Sequence, residues 1–556
     1  MQIFSFLRPC LKRRAAGRAG IAFLLILFSF AALPTGAQTP PESGASAADH
    51  GRILLVLPFD NRTGQPSLEW IREAAANLLS SRFASAGFAP MTRADRMYAL
   101  DHLGLPQSFQ PSRASSLKLA QTLDADSIVV GSFTMDGTQI LAEAQVVNVP
   151  RLRMSAPVTA SGAMSQMIAV FDSLAWKLTR QLDPSFSGTE QTFIAAGSSL
   201  RLDAYEQYIR GITEPDHSER LRHLEQSVKL SPAFSPAWMA LGREYYQGQQ
   251  YDQAAKAFAK VDHAGPDRLE AGFYGGLSLL FSGDYPHAEQ AFAQVARILP
   301  LAEVLNNQGV AISRQGHDGT ALFVQAASAD PNAADYHFNL AVSLKQHGKT
   351  AAALNEIALC LKLRPSDSEA QSLQAAWKAP AMVPASTGAN PAADPAAAPD
   401  PLVRIVRTFD AAAFRQASFL LDQMNATRLA ALSPRERALR LSAQAKGYLD
   451  RGLLLEAERL YQSALAADAH VAEAHLGLAL VRERTGNAAD ARREAQAALE
   501  LTPSTDAYLV LCRLDLAENH LSAAQDDAGN ALKLEPGSPA AQEMLRQVRE
   551  RTSPSK

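Results

Sequence analysis

Residues 238–266 read WMALGREYYQGQQYDQAAKAFAKVDHAGP, and this stretch decides the fold. Its apolar, small and proline residues stand at the spacing of one helix–turn–helix unit: Trp238, Leu241, Gly242, Tyr245, Ala254, Phe258 and Pro266. Such a unit cannot bury its own apolar face, so several units must stack to form a continuous core. Gly242 falls where the two helices of the unit cross, and we expect a larger side chain there to destabilise the pair.

Prolines repeat this period through the middle of the chain. Pro232, Pro266, Pro300, Pro331 and Pro365 are separated by 34, 34, 31 and 34 residues. The pattern W-x2-L-G-x2-Y, then A-x3-F, then P resembles the tetratricopeptide repeat (TPR). The resemblance implies an α-solenoid whose concave surface binds other polypeptide chains.

We predict that the repeats form two blocks. Residues 200–378 are assigned to a first array of five units with a capping helix, and residues 379–401, which contain six prolines, to a linker. Residues 402–551 are assigned to a second array, in which a helical pair at 402–432 precedes three further repeats and a capping helix. Residues 552–556 are a tail.

The amino-terminal end has the organisation of a secretory signal peptide, which we assign to residues 1–37. The first 20 residues carry five arginines and lysines and no acid, and an apolar run follows from Ile21 to Leu33. Cleavage is expected after Ala37, which predicts an exported protein, periplasmic or envelope-associated. An uncleaved anchor remains an alternative, so membrane association is left open. Residues 38–51 are predicted to be a tether.

Residues 52–185 have the pattern of a small α/β domain. Ile53–Leu57 is a continuous apolar run, typical of a strand that is buried on both faces. Strands at 127–135 and 138–147 flank Asp136-Gly137, a dipeptide favoured in two-residue hairpins. A short strand is predicted at 88–91, and helices are predicted at about 68–86, 94–102, 113–123 and 163–182.

Two motifs of this domain resemble a known envelope module. VLPFDNRTG at 56–64 and ADSIVVGSF at 125–133, with the hairpin after them, are similar to the TolB-amino-terminal-like or CsgG-like domain. The resemblance implies a binding or assembly module without catalytic residues, which in relatives precedes TPR arrays. Asp60 and Asn61 also have a simpler interpretation, because both residue types are common in turns that end strands.

Composition and motifs argue against several function classes. The formal net charge of −3 provides no strong field for nucleic acid, so we expect no nucleic-acid partner. Cys360 and Cys512 are predicted to pack as small buried hydrophobes. Gly348-Lys349 lacks a P-loop's first glycine, where Ser343 stands, and the sequence contains neither HExxH nor GxSxG. We therefore predict no enzyme, no catalytic residue, no cofactor and no metal site.

The TPR resemblance also predicts a partner groove, because TPR proteins usually place the first helix of each repeat on the concave side. The corresponding residues here are Met239, Arg243, Tyr246, Gln247, Phe273, Leu277, Phe281, Asn306, Arg314, Phe338 and Lys345. They form an apolar strip with cations and an amide, which fits a helix or an extended peptide. Phe273, Leu277 and Phe281 have the alternative interpretation of ordinary packing between helices.

The sequence is compatible with three functions to different degrees. The leading hypothesis is an exported scaffold or adaptor that binds proteins or peptides through its concave grooves. The second is an envelope sensor or regulatory protein whose α/β domain binds a small ligand or glycan. An enzyme is the third, and the sequence supplies neither a nucleophile nor a metal site for it. The sequence determines neither the partner nor the oligomeric state.

Overall fold

The computed structural model describes residues 53–106, 112–263, 265, 267–379, 403–409 and 424–552. The predicted signal peptide at 1–37 and tether at 38–51 lie outside the described residues. The same is true of residues 380–401 of the predicted linker and of residues 553–556 of the predicted tail.

The amino-terminal part is built on a mixed β-sheet. Its strands are β1 (Ile53–Val56), β2 (Asp60–Asn61), β3 (Ala89–Pro90), β4 (Ser127–Asp136), β5 (Gln139–Asn148), β6 (Arg153–Met154) and β7 (Val158–Ala163). The order is β3-β1-β4-β5-β6, with β2 paired to β4 and β7 paired to β5. β1 is parallel to β3 and β4, whereas β4 and β5 form the predicted antiparallel hairpin. Gly137 has a φ of 56° in its turn, a conformation that glycine adopts without strain.

Helices cover both faces of this sheet. They are α1 (Trp70–Ser85), α2 (Arg93–His102), α3 (Arg113–Thr122) and α4 (Met167–Leu182). Leu54 and Val56 pack with α1 and α4, whereas Leu55 and Leu57 pack with α2 and α3. The alternation explains the continuous apolar run, because both faces of β1 are buried. Asp60 and Asn61, expected in a turn, instead form a short strand beside β4.

A first helical block follows, and most of its helices are arranged in antiparallel pairs. The helices are α5 (Glu190–Gly197), α6 (Leu202–Thr213), α7 (His217–Leu230), α8 (Ser235–Gln247), α9 (Tyr251–Phe258), α10 (Arg268–Ser282), α11 (Tyr285–Ile298), α12 (Ala302–Arg314), α13 (Thr320–Ala329), α14 (Ala334–Gln346), α15 (Thr350–Leu363) and α16 (Ser368–Lys378). The pairs run from α6–α7 to α14–α15, and α16 packs on α15 at the end of the block.

The second helical block has the same plan. Residues 424–430 are helical. The helices that follow are α17 (Pro434–Asp450), α18 (Leu454–Ala467), α19 (Ala472–Arg484), α20 (Ala488–Leu501), α21 (Thr505–Ala517), α22 (Leu521–Leu534) and α23 (Pro539–Thr552). Residues 403–409 contain no helix, so the prediction of a helical pair at 402–432 is wrong for this segment, whereas residues 402 and 410–423 of that pair lie outside the described residues.

In three helix pairs of the first block, a glycine lets the two helices approach closely. A Cβ atom added to Gly242 would lie 2.7 Å from the ring of Phe258, on the partner helix. The same arrangement recurs where Gly276 meets Phe292 and Gly309 meets Phe323. Ala254, Phe258 and Ala288 are buried, as the predicted repeat register requires. Small residues at these positions let an aromatic ring fill the space between two helix axes.

Both helical blocks contact the α/β part. The hydroxyl of Tyr205, on α6, lies 3.0 Å from the carbonyl oxygen of Ala74 and 2.9 Å from Oδ1 of Asn77 on α1. Leu455, on α18, belongs to the buried core of the α/β part. Nearby, the backbone N–H of Thr189 donates to Oε2 of Glu458 at 3.3 Å. The second block therefore packs against the α/β part through α18.

Candidate functional site

The face that α10, α12 and α14 form in the first block holds a segment of the same chain. Residues Val403–Phe409, with the sequence VRIVRTF, have no helical or strand assignment and lie along α10, α12 and α14. Val403 is buried, and Ile405, Val406 and Phe409 pack against the core of the array. We call these seven residues the groove segment. They occupy the face on which the sequence predicts a partner.

Two buried asparagines bind the backbone of the groove segment. Nδ2 of Asn339 donates to the carbonyl oxygen of Arg404 at 2.7 Å, and its Oδ1 accepts from the N–H of Arg404 at 2.6 Å. Asn307 repeats this pattern at Val406, with distances of 2.7 and 2.9 Å. A carboxamide carries a donor and an acceptor side by side, so it matches one extended peptide unit. Positions two residues apart are therefore bound as in a β-ladder.

A third asparagine orients the other two. Nδ2 of Asn306 lies 3.1 Å from the carbonyl oxygen of Arg404 and 3.1 Å from Oδ1 of Asn307. Its own Oδ1 accepts from Nδ2 of Asn339 at 2.7 Å. All three asparagines are fully buried, where an unpaired amide group would be costly. This network fixes the direction in which each amide faces the segment.

The side chain of Arg404 enters an acidic pocket at the end of the array. Its guanidinium donates to both carboxylate oxygens of Asp367, at 2.6 and 2.9 Å. It also donates to Asp335 at 3.0 Å and to Glu369 at 2.9 Å. The charged group lies over the ring of Phe338, 3.5 Å from its centroid. Three carboxylates and an aromatic face therefore surround one guanidinium.

The charges of this pocket stabilise one another. Hydrogen bonds from Arg404 lower the pKa of Asp367. Burial opposes the ionised form of Asp335, but hydrogen bonds from Arg364 and Arg404 outweigh it and lower the pKa of that carboxyl. Burial likewise opposes the charge on Arg404, and its carboxylate partners nevertheless raise its pKa. These shifts favour the ionised forms of Asp335, Asp367 and Arg404 at neutral pH.

The other end of the groove segment contacts aromatic side chains of α10. The ring of Phe409 lies 5.3 Å from that of Phe273, centroid to centroid. The guanidinium of Arg407 lies 5.0 Å from the ring centroid of Phe281. The segment thus runs from α16 back toward α10, opposite to the order of the repeats.

The predicted groove residues divide into two groups. Phe273, Phe281, Asn306 and Phe338 contact the groove segment. Tyr246 lies near Phe281 and close enough to Arg407 of the segment for their charges to interact. The remaining predicted residues have other surroundings: Met239 and Leu277 are buried, Arg243 pairs with Glu270, Lys345 bonds to Thr350, Arg314 is half-buried and Gln247 is exposed. That these residues bind a separate partner stays a prediction.

Sequence reasoning missed Asn307, Asn339 and the acidic pocket. A signal for the asparagines was present, since Asn307 and Asn339 each stand five residues after the first residue of their helix, Ala302 or Ala334, and so occupy equivalent places in successive repeats. The β-branched residues of VRIVRTF also favour an extended conformation over a helix. Asp367 and Glu369 carried no such signal, because an acid in the first turn of a helix is ordinary.

Other candidate sites are weaker. Ligand atoms of Asp515, Glu518 and His520 lie within 4.8 Å of one another, but Arg492 pairs with both carboxylates, at 2.7 and 2.8 Å. Gly348 has a φ of 75° in the turn between α14 and α15, which gives it a structural role. Across the described part of the chain, no helix is both long enough and apolar enough to span a membrane.

A cavity of about 500 Å³ lies beside the end of β1. Its lining includes Leu57, Trp70, Arg72, Arg96 and Arg210. The arginines already have partners: Arg72 bonds to the carbonyl oxygen of Phe59, Arg96 to Glu73 and Arg210 to Glu206. In open α/β sheets, ligands bind beyond the carboxyl ends of strands, and this cavity has that position.

Comparisons with known proteins identify the repeats. The tetratricopeptide-repeat sequence family matches residues 239–303 and 442–505. No curated protein sequence matches the chain.

One similar solved structure is that of YrrB, described as a TPR protein with an unusual peptide-binding site. It has 16% identity and a TM-score of 0.28, and the match covers 36% of this chain and 99% of YrrB. MamA from Desulfovibrio magneticus RS-1 has 18% identity and a TM-score of 0.27, covering 33% and 99%. The LpoB C-terminal domain from Escherichia coli has 21% identity and a TM-score of 0.19, covering 22% and 90%. The family match and the paired helices together make this chain an α-solenoid of tetratricopeptide repeats in two blocks, preceded by a small α/β region.

Proposed function

We propose that this protein is a non-enzymatic scaffold of the bacterial-type cell envelope that binds partner proteins in the groove of its first TPR block. The observation that carries the proposal is the groove segment, which lies extended along α10, α12 and α14. Asn307 and Asn339 bind its backbone atoms, so the same contacts are open to any extended peptide. The groove therefore has the chemistry of a peptide-binding site.

A peptide array tests this proposal. The protein would carry GSGSGSG in place of residues 403–409, which frees the groove, and it would be probed with seven-residue peptides. We expect saturable binding of a subset, and loss of that binding in the added double variant Asn307→Ala, Asn339→Ala. Asn332→Ala is the matched control, because Asn332 is exposed in the turn before α14. Absence of binding to every peptide would contradict the scaffold function.

Export rests on the basic and apolar pattern of residues 1–37. Expression of the full chain in a bacterium with an outer membrane, followed by mass spectrometry of the isolated protein, tests it. A mature amino terminus at Gln38 in the periplasmic fraction is expected. An intact terminus in the membrane fraction would support the anchor, and an intact terminus in the cytoplasm would refute export.

Ligand sensing is the second candidate function, and the cavity beside β1 favours it. A small carboxylate or phosphate ligand would have to displace the existing partners of Arg72 and Arg96. Titration calorimetry of the full chain with such compounds tests this candidate. Saturable binding that disappears when Met97→Trp fills the cavity would support sensing; heats equal to those of dilution would argue against it.

A further inference from the structure

The contacts of the groove segment separate into two kinds. Asn307 and Asn339 bind backbone atoms and therefore accept many sequences. The pocket of Asp335, Asp367 and Glu369 binds a side chain and therefore selects one. From this division we propose that the groove selects an extended peptide with arginine between apolar residues, and that residues 403–409 are a built-in competitor of that peptide. The proposal rests on the scaffold function above.

Arginine fits this pocket better than lysine. Asp367 accepts two hydrogen bonds from one guanidinium, at 2.6 and 2.9 Å, and Glu369 and Asp335 receive others. Only a planar, forked cation can serve these acceptors while it stacks on Phe338. An ammonium group is compact and cannot make the paired bonds. The pocket therefore specifies the residue type at this position.

The position of the arginine within the peptide is also fixed. Asn339 binds the backbone of the residue whose side chain enters the pocket, and Asn307 binds the backbone two positions later. Neighbouring positions are apolar in the groove segment, where Val403 is buried and Val406 is half-buried. An aromatic residue five positions after the arginine faces Phe273. The selected pattern is apolar, Arg, two apolar residues, two residues that are exposed in the groove segment, and an aromatic.

The groove segment competes with separate peptides because it is covalently connected to the groove. The groove segment belongs to the chain that carries the groove, so it binds at an effective concentration of about 1 mM. A separate peptide of equal intrinsic affinity must compete with that concentration. Its apparent Kd is therefore its intrinsic Kd divided by the fraction of molecules in which the groove is free. Partners would therefore bind tightly only when they exceed the segment in affinity or when the segment is released.

Fluorescence anisotropy with labelled VRIVRTF tests the proposal. The titrated proteins are the full chain and the GSGSGSG variant defined above. We expect the variant to bind at least ~10-fold more tightly than the full chain. In the variant background, Asp367→Asn should weaken binding by ~10-fold or more, as should lysine in place of the first arginine of the peptide. Asp252→Asn, at an exposed position of α9, is the control and should leave affinity unchanged.

Each outcome decides one claim. If the variant binds the lysine peptide and a scrambled peptide as tightly as VRIVRTF, arginine selection is wrong although the scaffold function survives. If the variant binds no peptide, the scaffold function itself fails. If the full chain binds as tightly as the variant, the segment is not a competitor. Sedimentation of a dimer that only the full chain forms would place the segment in the groove of a second copy and overturn the intramolecular arrangement.

Discussion

Asn339 illustrates how one residue can create a binding site. Its amide is fully buried, yet its donor and acceptor are both used by the backbone of Arg404. Burial removes competition from water, so each of these hydrogen bonds is stronger than on the surface.

Gly242 supports a prediction about the repeat register. Gly242→Ala is expected to destabilise the protein by about 1–3 kcal/mol, because the new methyl group would overlap the ring of Phe258. Gly447→Ala is the matched control: it also lies inside a helix, and nothing lies within 4 Å of an added Cβ there. The control should gain up to ~1 kcal/mol from helix propensity. Thermal unfolding followed by circular dichroism measures both, and equal midpoints would refute the register.

Arg82 and Asp172 support a second prediction. Nε of Arg82 donates to Oδ1 of Asp172 at 2.7 Å, and the carboxylate is fully buried. Arg82→Met should cost about 3–5 kcal/mol, because it leaves that charge without a partner. Adding Asp172→Leu should recover most of the loss. Urea unfolding measures the effect, and a loss under ~1 kcal/mol for the single variant would contradict it.

The pH dependence of this pair has a definite sign. Burial raises the pKa of Asp172 to about 6, although Arg82 opposes the shift. A carboxyl whose folded pKa exceeds its unfolded value contributes most stability below about pH 4, and loses that contribution as pH rises through 6. Without Arg82 the pKa of Asp172 rises further, so Asp172 is protonated in the variant at pH 4. The loss of stability caused by Arg82→Met should therefore become smaller as the pH is lowered toward 4. A deficit that grows on acidification would contradict this assignment.

Helix α18 is the element that joins the second block to the α/β part. Leu455 contributes to the α/β core, and Gln462 donates to the carbonyl oxygen of Ser187 at 3.0 Å. Leu455→Asp should place a charge in this apolar contact and separate the two parts while each stays folded. Leu534→Asp, at an exposed position of α22, is the control. Small-angle scattering should show a larger radius of gyration for the first variant only; an unchanged radius would contradict the contact.

The parts of the fold that could be predicted are those whose interacting residues lie close together in the sequence. The helix pairs and the β4–β5 hairpin were predicted because their signals are local: apolar periodicity, a turn dipeptide and small residues at crossings. The groove segment was not, because its partners Asn339 and Asn307 stand 65 and 99 positions from the residues they bind. Its β-branched pattern indicates an extended strand but not what it pairs with. The recurrence of asparagine at equivalent places in α12 and α14 indicates a polar site, but it does not indicate which segment of the chain pairs with it.

At the scale of the whole molecule, the chain folds back on itself twice. The first block begins against α1 through Tyr205, and the second block returns to the α/β part through Leu455. Residues 403–409 lie between these blocks in the sequence and pack along α10, α12 and α14 of the first. A partner can therefore reach the groove only when residues 403–409, which lie between the two blocks in the sequence, leave it.

Hydrogen–deuterium exchange of residues 403–409 in the intact protein tests this account most directly. The N–H groups of Arg404 and Val406 donate to buried asparagine oxygens, so both should exchange slowly. In the double variant Asn307→Ala, Asn339→Ala, the segment should exchange at the rate of an unstructured peptide, while α20 and α21 keep their protection. Rapid exchange of these two amides in the unmodified protein would contradict the occupied groove.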